Sequence, residues 1–165
     1  MKSKDSSREN VYKAARKSAA LHDERLSSRE MAADLLGVSL STLSSWENGV
    51  VKVVPVEAVV MMADLYNAPE LMTGYCKHEC PIGRNFPFAT EQKSIEGIAL
   101  RLIREFGPEK LKALQENLID IASDGEITAD EEEDLRSILK ALDELSVVIS
   151  EMKLCGSKIL KRRKR

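Results

Sequence analysis

Residues 29–49, REMAADLLGVSLSTLSSWENG, carry the pattern that most narrows what this chain can fold into. Ala33 stands four residues before Gly37. A small side chain at 33 lets a second helix cross closely, and Gly37 tolerates the left-handed conformation that a tight turn needs. Val38, Leu43 and Trp46 are spaced to point back into a core, which leaves Leu40, Ser41, Ser44 and Ser45 outward. Ser39 is the N-cap candidate for the second helix, because its hydroxyl accepts a bond from an amide one turn on. Asn48-Gly49 is its stop. For the first helix, Ser27 and Ser28 are both good N-caps; with Ser27, Glu30 completes a capping box. The stretch from Leu35 to Gly49 contains no Lys or Arg, so any attraction to a polyanion must come from elsewhere.

The segment MAADLLGVSLSTLSSWENGVVKVVP resembles the lambda-repressor-like, XRE-type family of helix-turn-helix transcriptional regulators. The family pattern runs roughly LAxxLGVSxxTISxWENGxxxP. The following run, VVMMADLYNAPELMTGYCKHECPIG, is similar to the ending of a subgroup of such regulators. The resemblance is strong over just under half the chain. It implies a five-helix fold over about Asn10 to Tyr75, with Ala33, Gly37, Val38, Leu43, Trp46 and Glu47 as its structural motif. The family reads bases with the outward face of its second motif helix, laid in the major groove. Those positions here are Ser39, Leu40, Ser41, Ser44 and Ser45. Serine hydroxyls read base edges permissively, and Leu40 can pack on a thymine methyl. The family's phosphate-binding position at the start of the first motif helix falls on Arg29, where Gln is more usual. Asn48 and Lys52 fall in the loop that touches the DNA backbone. The Glu of WENG, here Glu47, pairs in the family with an Arg of the first helix; Arg16 is the candidate and Arg25 the alternative.

The rest of the chain reads as helix. Leu, Ala, Glu, Lys, Met and Arg dominate, and no strand pattern stands out. A first helix is expected from about Asn10 to Leu21, with Val11, Ala14, Ala15, Ser18 and Ala19 inward. Pro55 opens a helix to about Tyr66, with Val56, Val59, Val60, Ala63 and Tyr66 inward, and Pro69 opens a short one. Residues 81–90, PIGRNFPFAT, read as a linker. Three helical segments follow: Thr90 to Phe106, Pro108 to Ser123, and one from about Ala129. In the last, Leu135, Ile138, Leu142, Leu145, Ile149 and Met152 step by 3, 4, 3, 4 and 3, a heptad seam that weakens at Gly156. The expected fold class is therefore all-α: the five-helix DNA-binding domain, then a helical hairpin or three-helix region with a heptad seam. The expected organisation is a flexible leader at 1–9, the helix-turn-helix domain at 10–80, the linker at 81–90, a helical dimerisation or interaction region at 91–157, and a basic tail at 158–165.

Charge follows the same divisions. Residues 1–88 hold 11 Lys/Arg and 11 Asp/Glu, residues 89–157 hold 8 and 16, and residues 158–165, KILKRRKR, hold six basic residues and no acidic one. The tail residues Lys161, Arg162, Arg163, Lys164 and Arg165 are candidate phosphate contacts; the alternatives are a solubilising end or one that folds back on the acidic segment.

Other patterns favour ordinary structural readings. Cys76, His78 and Cys80 are too few for a closed zinc site, which takes four ligands, so packing at a helix end is preferred. Residues 120–131 mimic a calcium loop, with Asp120, Asp124, Gly125, Ile127 and Glu131 in register, but Ala122 sits at a ligand position. A helix end followed by a Thr128-capped acidic turn is the preferred reading. Three cysteines do not suggest a disulfide framework. No apolar run reaches the roughly 18–20 residues of a membrane span, and the N-terminus lacks a secretory h-region. No catalytic set or phosphate-cradling glycine loop emerges. The expectation is a cytoplasmic, non-enzymatic, cofactor-free and metal-free regulator. It is a homodimer on an inverted-repeat operator in double-stranded DNA, acting as a repressor of a phage-like or mobile-element locus. The alternatives are a protein-interaction adaptor on the same scaffold without strong DNA binding, and a sensor whose helical region binds a small effector.

Overall fold

A computed structural model describes residues 10–123, 127–129 and 131–162. The fold is all-α, with eight α-helices and no strand among the described residues. The N-terminal unit contains α1 (Val11–Ala20), α2 (Arg29–Leu35), α3 (Leu40–Glu47), α4 (Val56–Leu65) and α5 (Glu70–His78). A 3-10 turn at Glu24–Ser27 joins α1 to α2; its start is fixed by Asp23, whose side chain accepts from the Arg25 amide. Local chemistry sets most boundaries. Asn10, Ser28 and Ser39 cap α1, α2 and α3 by accepting amide hydrogens from Tyr12, Met31 and Thr42. Because Ser28 rather than Ser27 is the cap, Glu30 does not reach the capping-box position. Gly37 and Gly49 both adopt positive φ, +66° and +67°. No atom comes within 4 Å of a Cβ built at Gly37, so glycine is needed there for backbone conformation and not for space.

The N-terminal core is one cluster, in which Leu26, Leu43, Val59 and Met62 are almost completely buried. Each such side chain contributes about 1.5–3 kcal/mol by leaving water. On α4 the buried stripe is Ala58, Val59, Met62 and Ala63, continued by Tyr66. Val56 and Val60, expected inward, are instead about half exposed. Two adjacent faces of this helix are apolar, and the packing of α5 chooses between them. On α1, Val11 is also exposed, while Arg16 is buried beside Ala19.

The CPIG ending is a backbone fit. After α5 the chain turns back through a 3-10 turn at Gly83–Asn85, and Gly83 lies directly on α5. A Cβ at Gly83 would sit 2.3 Å from the Cys76 carbonyl oxygen. The Gly83 amide donates to Cys80 Sγ at 3.4 Å. The segment expected to be a linker is packed. Ala89 is buried and its amide donates to Ser150 Oγ at 3.1 Å. Phe86 and Phe88 line a groove of about 510 Å³ with Met72, Ile149 and Leu154.

The C-terminal region is α6 (Ile95–Glu105), α7 (Pro108–Ala122) and α8 (Glu131–Arg162). Ser94 caps α6, and Gly107-Pro108 separates α6 from α7. Thr128 and Glu131 exchange bonds ahead of α8: the Thr128 amide donates to Glu131 Oε2 at 2.8 Å, and the Glu131 amide donates to Thr128 Oγ1 at 3.4 Å. The heptad seam is only partly used within the chain. Ile138 is buried, but Leu142 and Ile149 are exposed; the second core cluster forms instead from Ile98, Val148 and Cys155, with Leu102 and Met152 beside it. Glu151, which no apolar pattern reveals, is buried on the same face. It accepts two bonds from Arg101 Nη1 at 2.6 Å and pairs with Lys93 at 2.7 Å. The helix also runs through Gly156, so Lys158 and Lys161 of the expected tail are helical. Residues 1–9, Asp124, Gly125 and Arg163, Lys164 and Arg165 lie outside the described residues.

Gly83→Ala is expected to lower stability by about 1–3 kcal/mol through overpacking, because backbone and not a flexible side chain blocks the new methyl. Gly37→Ala meets no such atom and costs only its left-handed strain. Urea denaturation of the two variants separates overpacking from strain.

Candidate nucleic-acid interface

The base-reading candidates depend on how α3 is held against the rest of the domain. Glu47, its last residue, is buried and accepts bonds from two guanidinium groups. Arg16 of α1 donates from Nε to Oε1 at 2.6 Å and from Nη2 to Oε2 at 3.1 Å. Arg29, the first residue of α2, donates from Nε to Oε2 at 2.8 Å. Arg16 Nη1 also donates to the carbonyls of Leu26 and Ser27, at 2.8 and 3.1 Å. One carboxylate thus joins α1, the 3-10 turn, α2 and α3. Arg25, the alternative partner for Glu47, pairs with Asp23 at 2.8 Å instead. A further tie that the sequence motif did not reveal comes from Asn10, whose Nδ2 donates to the Trp46 carbonyl at 3.0 Å.

Each candidate contact residue has a defined place. Ser39, Leu40 and Ser41 are exposed at the start of α3, and Asn48 and Lys52 are exposed beyond its end. Ser44 and Ser45 are half-buried on the helix flank. The hydroxyls are already engaged. Ser39 Oγ accepts from the Thr42 amide at 3.1 Å and lies 2.9 Å from Ser41 Oγ. Ser45 Oγ donates to the Ser41 carbonyl at 2.8 Å. Ser44 Oγ accepts from Arg29 Nη1 at 3.3 Å. Arg29 is therefore a partly exposed cation that also supports the helix it flanks. Lys52 lies among exposed apolar neighbours, Val50, Val51 and Val53. Of the tail cations, Lys161 pairs with Asp64 of α4, which places it on the N-terminal unit and not in a free arm. The side chain of Arg162 lies outside the described residues.

The charge network shows in the titration of its neighbours. The hydrogen bond that Arg16 donates to Glu47 raises the Arg16 pKa above its ordinary value, with burial opposing. Burial raises the Tyr66 phenol well above its usual range, and the Glu47 charge adds to this. Burial, then Glu79 and Tyr75, push Tyr12 up from 10.0 to about 12. Among the described residues no three His, Cys, Asp or Glu side chains converge as a metal-ligand set. Cys76, Cys80 and Cys155 are free.

Residues 15–73 match the family model for a helix-turn-helix domain, from the middle of α1 into the first half of α5. The match gives the N-terminal unit as a helix-turn-helix domain, the fold of DNA-binding regulators. No curated protein and no solved structure matches the chain. No helix among the described residues is long and apolar enough to cross a membrane.

Glu47→Ala is expected to cost about 3–5 kcal/mol, because it leaves Arg16 buried without a counter-charge. Arg29→Ala removes a half-exposed partner and is expected to cost about 1 kcal/mol. Equal losses in urea denaturation would contradict this hierarchy. The folded state holds the Tyr12 proton more tightly than the unfolded chain does. Its contribution is complete below pH 10.0 and is lost as pH rises towards about 12. Tyr12→Phe should flatten the loss of stability over that window.

Proposed function

We propose that the protein is a sequence-specific, dimeric DNA-binding regulator of the XRE type, acting in the cytoplasm, without catalysis or cofactor, as a repressor of a phage-like or mobile-element locus. The observation that carries this reading is the exposed start of α3. Ser39, Leu40 and Ser41 face solvent on a helix anchored at its other end by Glu47. Two such helices, one per protomer, enter successive major grooves of an inverted repeat and exclude polymerase. The serines read permissively, Leu40 packs against a thymine methyl, and Asn48 and Lys52 meet the backbone. One domain supplies few cations, so a monomer binds weakly and a second copy provides the remaining affinity.

Apolar surface in the C-terminal region supports dimerisation. Only Ile121 of α7 is buried, while Leu118 and Ile119 are half to two-thirds exposed. Leu139, Leu142 and Ile149 of α8 are exposed as well. A second copy of the chain covers these side chains in the proposed assembly.

Light scattering at micromolar concentration is expected to give a dimer, and Leu118→Glu with Ile119→Glu a monomer of unchanged helicity; a monomeric parent protein would contradict the assembly. In a footprint of the protein's own upstream region, protection should fall on an inverted repeat. Lys52→Ala should weaken binding to all sequences and reduce the salt slope by about 1, whereas Leu40→Ala should change the preferred base at one position per half-site. Absence of binding, or a flat salt slope, would favour the interaction adaptor.

A further inference from the structure

Helix α8 runs for 32 residues, about 48 Å at 1.5 Å per residue. Its charge is divided between its two halves. Residues 131–145 hold six Asp/Glu and two Lys/Arg, whereas residues 146–162 hold one Glu and four Lys/Arg. The helix therefore starts acidic, at Glu131, Glu132, Glu133 and Asp134, and ends basic, at Lys158, Lys161 and Arg162. The acid of the second half, Glu151, is buried between Lys93 and Arg101 and does not offset the basic end. Lys158 is committed to Glu70. Lys161 pairs with Asp64 at the surface, where such a pair is weak and exchangeable.

One side of α8 carries an exposed stripe: Leu139, Leu142, Ser146, Ile149, Lys153 and Ser157. The steps of 3, 4, 3, 4 and 4 keep these residues on one face. Ser146, Ile149, Lys153 and Ser157 line the groove of about 510 Å³ together with Met72 and Phe86. Leu139 and Leu142 continue the stripe beyond that groove. The face thus has an apolar half flanked by acidic residues and a grooved half that leads to the basic end.

We infer that this face of α8 pairs with the same face of a second copy, in antiparallel orientation and centred on Ser146; the inference rests on the homodimer of the proposed function. A two-fold contact needs a self-complementary surface, and the antiparallel arrangement supplies one. With Ser146 at the centre, Leu142 of one copy meets Ile149 of the other, and position 139 meets position 153. Leu139 and Leu142 of each copy fill the other's groove. The methylene stem of Lys153 covers Leu139 while its ammonium stays in water. Positions 131–134 then lie opposite positions 161–158, so each acidic start meets a basic end. Parallel pairing would offer the same apolar cover but would set the two acidic starts against each other, and like charges facing across an interface oppose association. Apolar burial provides the attraction, and the charge division selects the orientation. Because the N-terminal unit holds α8 at Lys158 and Lys161, the antiparallel pair carries its two helix-turn-helix units towards opposite ends.

The test is disulfide trapping in the full chain, with Leu139→Cys and Lys153→Cys made as separate variants. Each variant is oxidised alone and after mixing with the other, peptide mapping locates the links, and light scattering gives the mass of the parent. Both sites are exposed, so unchanged helicity by circular dichroism is expected. The mixture should give a 139–153 link between copies, and neither variant alone a link at its own site. Glu132→Lys with Glu133→Lys should weaken the dimer about tenfold, the effect of turning several surface ion pairs into repulsions, and should remove the weakening of the dimer that rising salt causes in the parent. A 139–139 link from Leu139→Cys alone overturns the orientation. A dimeric parent without the 139–153 link shows another interface and overturns this inference while the homodimer stands. A monomeric parent overturns both. Unchanged dimer affinity in the charge-reversed variant overturns the role assigned to the helix ends.

Discussion

The helix-turn-helix unit depends on a buried carboxylate. Glu47 closes α3 and receives guanidinium bonds from α1 and α2, while the same Arg16 holds the carbonyls of the 3-10 turn between them. Apolar packing is not directional and would tolerate small rotations of a two-turn helix such as α3. A bidentate guanidinium–carboxylate pair is directional, so it sets the angle at which Ser39, Leu40 and Ser41 are presented. The arrangement also carries a risk, because a carboxylate stripped of water needs both partners in place.

The C-terminal region repeats this device. Glu151 of α8 is buried and held by Arg101 of α6 and Lys93 just before it. The apolar core around it is small, centred on Ile98, Val148 and Cys155. With so little apolar area buried, the ion pairs do more to define how α8 lies on α6. Lys158 and Lys161 then carry α8 onto Glu70 and Asp64 of the N-terminal unit. The two regions are therefore joined by polar contacts and by the packed segment around Ala89, not by a flexible tether.

Much of the candidate interface was legible before any coordinates. Ala33, Gly37, Leu43 and Trp46 form a spacing that few other folds require, and the structure places Ala33, Leu43 and Trp46 in one core with Gly37 at the turn. Other features were not legible. On α4 the choice between Val56/Val60 and Ala58/Met62 depends on the direction from which α5 arrives. Ser28 outcompetes Ser27 as a cap because the preceding 3-10 turn consumes Ser27. Polar residues give no periodic signal, so the burial of Glu151 was not legible.

Helix content, turn positions and the helix-turn-helix motif were determined by the sequence itself, because they rest on local rules: capping hydroxyls, glycine at positive φ, and apolar spacing within two turns. Only the tertiary structure decided that Ser44 is engaged by Arg29 and that Lys161 meets Asp64 and not an open solvent arm. These outcomes turn on contacts between residues as far apart as Asp64 and Lys161, whose meeting no local pattern encodes.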